Sequence, residues 1–460
     1  MKKHYFFIGI GGSGMSGLAQ IIRAQGNFVS GSDRNYDNQK DLEVFRRLQS
    51  QGIKLYPQNG SGITPHLDQV IVSNAIENDN PDLMKVRELS LPVISRSEFL
   101  ARIFNNTTKG IGVAGSSGKS TITAMSARMM DETGFEPTVI NGAVIPEYKE
   151  LGGVGNAKLG NSDYMLVETD ESDGSLINFY PEIGILANIS KDHKPIPELI
   201  QIFSRFVENT KRTVIISADC PFSRELIRII PREKVLSFGF SKESQIKAEE
   251  VKLSRDGSTF KVQETLFSLK IPGKHNIANA LAAIALGIKI GIPLSIISQV
   301  LKKFRGVERR LELVGEANGI RVYDDFSHNP AKINAAVEAL KQDGSRLILI
   351  YQPHGFGPTK LLREELVETF NQKLEPADFL ILLDIYYAGG TADKSICSED
   401  LLKGVFVPRA ENPHDRAEVL ERIAELSKPG DIVVVMGARD NTLSDLARSI
   451  FKALKRKDTW

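Results

Sequence analysis

Residues 111–121 constrain this chain more than any other segment. They read Ile-Gly-Val-Ala-Gly-Ser-Ser-Gly-Lys-Ser-Thr, an apolar strand, a tight glycine turn and the start of a helix. Such a turn points backbone N–H groups and a helix N-terminus at one spot, which suits a phosphate. Lys119 would reach the β- and γ-phosphates of a nucleotide, and the Ser120 hydroxyl would bind Mg²⁺. Val113 stands where the general P-loop pattern has a glycine, so a plain Gly/Ser-rich turn is the alternative.

A second glycine loop lies near the N-terminus. Residues 9–14 read Gly-Ile-Gly-Gly-Ser-Gly, between an apolar strand at 4–10 and a helix at 15–24. Asp33 ends the next strand, about twenty residues on, where a dinucleotide site places the acid that holds a ribose. Alone, this pattern predicts a Rossmann half-fold for NAD, although any nucleotide diphosphate can use the same loop.

The overall composition narrows the class of protein. The length of 460 residues suggests about three domains. The net charge of +1 argues against nucleic acid as a partner. The two cysteines, Cys220 and Cys397, lie far apart, so neither a disulfide framework nor a zinc site is supported. No run approaches the ~20 apolar residues of a membrane span, and the short apolar run after Lys2-Lys3 breaks into glycines, which favours a strand over a signal peptide. We therefore expect a cytoplasmic protein.

The rest of the chain alternates short apolar runs with helical segments, the pattern of parallel α/β sheets. Polar residues 105–109 indicate a first linker, and residues 311–319 indicate a second. We predict an α/β protein of three domains: a Rossmann-like N-terminal domain at 1–105, a central P-loop-type ATPase α/β domain at 106–312 and a Rossmann-like C-terminal domain at 313–460.

Polar clusters follow two strands of the central domain. The acidic run Glu168–Asp173 comes after the strand at 164–167, and Asp192-His193 follows the strand at 184–189. Open α/β sheets bind ligands at the carboxyl ends of their strands, and carboxylates beside a phosphate loop suit Mg²⁺. A solvated loop and a capping histidine are the alternatives. Further on, His275 and Asn279 lie four residues apart, on one helix face.

Taken together and in this order, these segments resemble the Mur ligase family, which builds the peptide stem of bacterial peptidoglycan. The segments that carry the resemblance are residues 9–17, 73–76, 115–121, 168–175, 275–279, 306–310 and 324–330. The similarity is greatest to the branch that acts on UDP-N-acetylmuramate. It implies that the first glycine loop holds a uridine diphosphate rather than NAD.

The resemblance implies ATP-driven amide formation through an acyl phosphate, with Mg²⁺, during synthesis of peptidoglycan precursors. L-alanine is the default acceptor, and a monomer or homodimer is expected. ATP is expected to contact Gly115, Ser116, Ser117, Gly118, Lys119, Ser120, Thr121, His275, Asn279, Arg309, Arg310 and Asp325. The UDP-sugar is expected to contact Gly11, Gly12, Ser13, Gly14, Met15, Ser16, Asp33, Ser73, Asn74 and Ala75. The implied Mg²⁺ ligands are Ser120, Glu168 and His193, the catalytic residues are Lys119, Glu168 and His193, and the acceptor residues are His328 and His354.

One departure from the family pattern concerns the acceptor. Residues 352–359 read Gln-Pro-His-Gly-Phe-Gly-Pro-Thr, without the arginines usual there, and a guanidinium suits a substrate carboxylate. A related ligase that uses a peptide, such as a recycled tripeptide, or another amine therefore stays open. An NAD-dependent oxidoreductase and a non-catalytic nucleotide-sugar sensor are the further alternatives.

Overall fold

The computed structural model describes residues 2–191, 194–341, 344–387, 393–406 and 409–456. The chain divides into two compact units. The first comprises residues up to 250, 260–268 and 277–307, and the second comprises residues 251–259, 269–276 and 308 onward. No helix among the described residues is long and apolar enough to cross a membrane.

The first sheet has five parallel strands in the order β3-β2-β1-β4-β5. Its strands are β1 (His4–Ile8), β2 (Phe28–Ser32), β3 (Lys54–Tyr56), β4 (Gln69–Val72) and β5 (Val93–Ser95). Its helices are α1 (Ser13–Ala24), α2 (Arg34–Asp37), α3 (Leu42–Ser50), α4 (Pro81–Glu88) and α5 (Arg96–Asn105). The chain changes direction between β1 and β4, so their following loops leave a crevice at the carboxyl edge. The predicted Rossmann-like domain is confirmed.

The second sheet has eight strands in the order β13-β12-β11-β10-β6-β9-β7-β8. Its strands are β6 (Lys109–Ala114), β7 (Thr138–Ile140), β8 (Ala157–Lys158), β9 (Tyr164–Glu168), β10 (Ile183–Leu186), β11 (Thr213–Ser217), β12 (Val235–Gly239) and β13 (Ile246–Lys247). Its helices are α6 (Lys119–Glu132), α7 (Pro146–Glu150), α8 (Ile196–Asn209) and α9 (Pro221–Ile229), with 3₁₀ turns at Ser175–Asn178 and Arg232–Lys234. Only β8 among these described strands runs antiparallel to its neighbour. The strand β6 lies between β10 and β9, so the phosphate loop leaves the middle of the sheet.

A buried hydrogen-bond network joins the first sheet to the second, within one unit. Gln20 on α1 donates to Asn156 Oδ1 at 2.8 Å and accepts from the Val154 N–H at 2.9 Å. Asn156, which precedes β8, donates to the Ser16 hydroxyl at 2.9 Å and to the Ser13 carbonyl at 2.6 Å. Both amide side chains are buried and hydrogen-bonded, and these bonds hold the two sheets in a fixed position relative to each other.

A small sheet and two helices follow in the chain. The three strands β14 (Glu249–Ser254), β15 (Gly257–Val262) and β16 (Thr265–Leu269) neighbour one another in that order. They lead to α10 (Lys274–Lys289) and α11 (Leu294–Lys302). The helix predicted to carry His275 and Asn279 is thus confirmed as α10.

The last sheet has six strands in the order β17-β18-β22-β19-β20-β21. Its strands are β17 (Glu312–Ala317), β18 (Ile320–Asp325), β19 (Leu347–Tyr351), β20 (Phe379–Leu382), β21 (Ala410–Glu411) and β22 (Ile432–Met436). Its helices are α12 (Pro330–Leu340), α13 (Phe356–Leu361), α14 (Arg363–Lys373), α15 (Ser398–Leu402), α16 (Arg416–Leu426) and α17 (Leu443–Arg456). Separate buried apolar clusters cover its two faces, as in a doubly wound sheet.

The prediction of a linker at residues 311–319 is wrong. Most of that segment is β17, which pairs antiparallel with β18 through a tight turn at 318–319. The strand is half-exposed and lies at the sheet edge, so its composition is more polar than that of a central strand. The remaining strands of this sheet are parallel, as predicted.

Candidate active site

The phosphate loop is a sharp turn between β6 and α6. Gly118 closes it at a φ of +87°, and a side chain there would collide with the carboxamide oxygen of Asn279. The Asn188 side chain holds the turn from the end of the neighbouring strand: its Oδ1 accepts from Ser117 N at 3.0 Å, and its Nδ2 donates to the Ser117 carbonyl at 2.9 Å. The loop is therefore fixed on both sides, with the N-terminus of α6 facing its opening.

Other loop residues serve the same turn. Gly115 has a φ of +137°, a conformation that side chains rarely adopt. The Ser116 hydroxyl donates to the Ser190 carbonyl at 2.9 Å. Ser120 and Thr121 are buried in the first turn of α6. The structure thus brings the predicted nucleotide-loop residues together in one rigid turn.

Lys119 is the charged centre of the loop. Its Nζ donates to the Gly115 carbonyl at 2.6 Å and to the Glu171 carboxylate at 2.7 Å. Burial opposes the charge of this ammonium, but the carboxylates of Glu171, Glu168 and Asp170 outweigh burial and raise the pKa of Lys119. Lys119 is therefore a cation at neutral pH, held where a phosphate would bind. Its pairing with Glu171 was not predicted, because four acids in the run 168–173 have similar spacing.

The Glu168 carboxylate lies one strand from the loop, because Glu168 on β9 pairs in register with Val113 on β6. Its Oε2 accepts from Gly142 N at 2.7 Å. Oxygen donors from Glu168 and Ser120 are the chemistry that Mg²⁺ prefers. The third predicted ligand, His193, lies outside the described residues. Among the residues that the structure does describe, no three His, Cys, Asp or Glu side chains group as a metal cage, so the predicted metal set stays a prediction.

Arg96 is a site residue that the sequence did not reveal. It follows β5, and its guanidinium nitrogen lies 2.8 Å from the position that a Cβ on Gly14 would take. The same guanidinium is 3.6 Å from the carboxylates of Asp170 and of Asp173. Arg96 therefore connects the first glycine loop to the acidic run of the central sheet. Asn74 makes a parallel link, donating to Asp173 at 2.8 Å.

The first glycine loop is organised by Asp33. One carboxylate oxygen accepts from Gly11 N at 2.8 Å, and the other accepts from Asn35 N at 2.8 Å. Burial raises the pKa of Asp33, although these N–H groups counteract it. A side chain at Gly11 would collide with the Phe45 ring. Asp33 thus shapes the loop, and its contact with a ribose stays a prediction.

The other predicted UDP-sugar residues fall into two groups. Gly12 and Ser13 are exposed at the loop, while Met15 and Ser16 are buried on α1. The segment Ser73, Asn74 and Ala75 follows β4, across the crevice from the glycine loop, and Ser73 N donates to the Ile8 carbonyl at 3.2 Å. The exposed groups line the crevice edge, whereas the side chains of Met15 and Ser16 serve packing and the buried network.

In the second unit, Asp325 and Arg309 are engaged in local structure. Asp325 accepts from Leu311 N at 2.7 Å and from Ser327 N at 2.8 Å. Arg309 donates to the Gly437 carbonyl at 2.7 Å. Arg310 lies over the Phe326 ring, 4.4 Å from its centroid. The predicted contacts of these three residues with ATP stay predictions.

The two predicted acceptor residues, His328 and His354, lie next to each other, while their role at an acceptor stays a prediction. Both are buried, and their ring centroids lie 4.7 Å apart. His328 Nδ1 is 2.9 Å from the Phe326 carbonyl, and its Nε2 is 3.4 Å from the Lys332 ammonium. The Nδ1 edge of the ring therefore faces a backbone carbonyl, and the Nε2 edge faces the Lys332 side chain.

His275 lies in the first turn of α10 and is the histidine predicted to contact ATP. Burial lowers its pKa, outweighing the opposite effect of Asp325 and Glu338. The ring is therefore neutral at pH 7. Asn279 lies one turn further along α10, against Gly118 as described above.

Family models match three successive segments of the chain. The description "Mur ligase family, catalytic domain" matches residues 4–108, "Mur ligase middle domain" matches residues 113–287, and "Mur ligase, glutamate ligase domain" matches residues 309–439.

Full-length relatives show the same similarity. The UDP-N-acetylmuramate–L-alanine ligase of Pelotomaculum thermopropionicum is 35% identical over 460 residues, covering 95% of each chain. That of Persephonella marina is 32% identical, covering 99% of this chain and 98% of its own. The crystal structure of the UDP-N-acetylmuramate–alanine ligase of Thermotoga maritima superposes with a TM-score of 0.81 at 25% identity, covering 100% of both chains. A murein peptide ligase of Psychrobacter arcticus shares the fold, with a TM-score of 0.71 at 21% identity over 98% of this chain and 99% of its own.

Proposed function

This chain belongs to the Mur ligase family, and we propose that it joins the carboxylate of UDP-N-acetylmuramate to L-alanine at the expense of ATP. The observation that carries the proposal is the match to a UDP-N-acetylmuramate–L-alanine ligase over 95% of both chains. Membership of a family of ATP-dependent ligases leaves no place for an NAD-dependent oxidoreductase. The residues 1–105, 106–312 and 313–460 would act as the UDP-sugar, ATP and acceptor domains.

In this proposal Lys119 neutralises the phosphates of ATP. A carboxylate that approaches a polyphosphate is repelled unless positive charge is fixed nearby. Lys119 is charged and held by two hydrogen bonds beside the loop. Its bond to Glu171 would be exchanged for one to a phosphate oxygen. Ser120 and Glu168, with His193, would hold Mg²⁺, which would draw charge from the same phosphates when bound.

The chemistry would proceed in two steps. A carboxylate oxygen of the muramyl group attacks the γ-phosphorus, the bond to the β-phosphate oxygen breaks, and ADP leaves with that electron pair. The ammonium of alanine first loses a proton to solvent water, and the free amine nitrogen then attacks the acyl carbon. The carbon–oxygen bond to phosphate breaks, and phosphate leaves with that electron pair and with the second proton from the nitrogen. The loops after β1 and β4 would hold the nucleotide sugar, while His328 and His354 would lie at the acceptor. Asn279 and His275 would lie near the adenine.

One assay tests the proposal. The full chain is incubated with ATP, Mg²⁺, UDP-N-acetylmuramate and one acceptor, and both phosphate release and product mass are measured. L-alanine is expected to give stoichiometric phosphate and the mass of the alanyl product. Phosphate release with the tripeptide but not with alanine would show that the acceptor is a peptide. This outcome is included because residues 352–359 contain no arginine. No release with any acceptor would refute ligase function.

A further inference from the structure

The acceptor in the proposed reaction carries a carboxylate that needs a cation. Free L-alanine is a zwitterion at neutral pH, and its carboxylate must be recognised while its nitrogen reacts. The loop after β19, which contains His354, offers no arginine over residues 352–359. The following inference rests on the proposed function and asks which side chain supplies the missing charge.

Most cations at the carboxyl edge of the last sheet are already engaged. Arg309 donates to the Gly437 carbonyl and ion-pairs with Asp324 at 3.7 Å. Arg416 binds the Asp440 carboxylate at 2.7 Å. Arg310 covers the Phe326 ring, and Lys332 reaches His328. These groups hold the loops in place.

Arg439 differs from all of them. It leaves the end of β22, which lies beside β19 in parallel register, Met436 opposite Tyr351. The parallel register puts the loop of Arg439 next to the loop of His354. The side chain of Arg439 is exposed, and within the described part of the chain it has no hydrogen bond or ion pair.

The distance between the two loops is short. An Arg439 guanidinium nitrogen lies 3.7 Å from the position that a Cβ on Gly355 would take. Gly355 has a φ of +134°, so the backbone passes here without a side chain. The guanidinium of Arg439 therefore lies beside Gly355, the residue after His354, although Arg439 itself follows the neighbouring strand β22.

An unused hydrogen-bond acceptor lies at the same edge. The Gln352 Oε1 atom is buried and has no hydrogen-bond partner among the described residues. It follows β19 directly, two residues before His354. A buried carbonyl oxygen without a donor is costly, and the ammonium of an amino acid would supply one.

We propose that Arg439 binds the carboxylate of the acceptor amino acid, in place of an arginine on the His354 loop, and so makes this chain selective for acceptors with a free carboxylate. Gln352 Oε1 would receive the ammonium. The guanidinium suits the task because its planar fork matches the two carboxylate oxygens.

The test compares Arg439→Ala and Arg439→Lys with L-alanine and with L-alaninamide, which keeps the methyl and amino groups but lacks the carboxylate. The wild type should prefer alanine strongly. Arg439→Ala should raise KM for alanine by roughly tenfold or more, given the strength of charged hydrogen bonds, and should leave KM for alaninamide, ATP and UDP-N-acetylmuramate within about twofold. Arg439→Lys should lie between, because it keeps the charge but not the fork.

Arg363→Ala is the matched control, since Arg363 is an exposed arginine of the same sheet's helices, with one hydrogen bond to the Asp400 carbonyl. It should keep wild-type KM values. An unchanged alanine-to-alaninamide preference in Arg439→Ala, with the wild type active, would overturn this inference alone. A wild type that makes no product with any acceptor would overturn the proposed function as well. Equal thermal midpoints of the three variants would establish that folding is not the cause.

Discussion

The two glycine loops of the first unit have the same strand–turn–helix backbone, but their positively charged side chains come from different parts of the chain. Both follow a parallel strand and open a helix, α1 or α6. The second loop has its cation built in, because Lys119 follows Gly118 directly. The first loop has its cation brought from α5, since Arg96 reaches Gly14 from far along the chain. A cation next in sequence is fixed by the turn itself, whereas one brought by the fold depends on where another helix, here α5, is placed. Both cations contact the acidic run, Lys119 at Glu171 and Arg96 at Asp170 and Asp173.

The largest effect that would sharpen this comparison is expected from Lys119→Ala. Product formation should fall by at least roughly 10²–10³-fold, because a charge fixed at the phosphates is lost. Binding of UDP-N-acetylmuramate, measured by calorimetric titration, should stay near the wild-type value. If sugar binding fell in parallel, the separation of roles between the two loops would be wrong.

Arg96→Ala should act in the opposite way. We expect KM for UDP-N-acetylmuramate to rise by roughly tenfold or more, since a charged hydrogen-bond donor is removed from the first loop, with a smaller change in KM for ATP. Steady-state kinetics with each substrate varied would measure both. Arg87→Ala, an exposed arginine bonded to Asn78 in the same domain, is the control and should change neither value.

The two loops should also differ in their tolerance of a methyl group. Gly118→Ala places a side chain at positive φ against Asn279 and should lower the free energy of unfolding by about 1–3 kcal/mol. Gly12→Ala adds a Cβ at a φ of −59° with its nearest contact at 3.6 Å, and should cost less than about 1 kcal/mol. Thermal unfolding of both variants checks the order, and equal losses would contradict it.

The smallest effects concern pH. Asp33 and Lys119 both have a pKa that is higher in the folded chain than in the unfolded chain. Each group therefore stabilises the fold most at a pH below its ordinary pKa, and this contribution is lost as the pH rises through the raised pKa. For Asp33 the contribution is complete below the ordinary carboxyl pKa of about 4. The wild type should therefore gain stability relative to Asp33→Asn as the pH falls towards that value. For Lys119 the contribution is complete below a pH of about 10.5 and is lost at higher pH. The free energy of unfolding of Lys119→Met should therefore approach that of the wild type only in alkaline solution. Unfolding free energies across pH would reveal either trend, and opposite slopes would refute the assignment.

Local sequence was enough for elements whose signal is continuous along the chain. The strand β6, the turn at Gly118 and the start of α6 were predicted correctly, because apolar run, glycine and lysine follow one another. The edge strand β17 was missed because its half-exposed face gives it the composition of a linker. Its antiparallel pairing depends on a partner, β18, that sequence alone does not supply.

The site residues also divide into those that the sequence indicates and those that only the fold reveals. His328 and His354 were predicted from a resemblance, and the structure places their rings together. Arg96 and Arg439 carry no spacing signature, since each is a single arginine after a strand. Their meaning comes from the loops that the fold brings beside them: the glycine loop at Gly14 and the acidic run for Arg96, and the loop after β19 for Arg439. Such residues can be found only once strand order is known.

The buried network of Gln20 and Asn156 has a consequence for recombining this chain with its relatives. A fragment ending at residue 105 would leave the Gln20 amide without its partner, at a cost of about 1–3 kcal/mol. It would also expose Phe104, whose ring centroid lies 5.4 Å from that of Phe179, the residue after the 3₁₀ turn Ser175–Asn178. Chimaeras cut at the first linker should therefore be insoluble unless both crossover parents share these contacts. The exchangeable module is the pair of sheets.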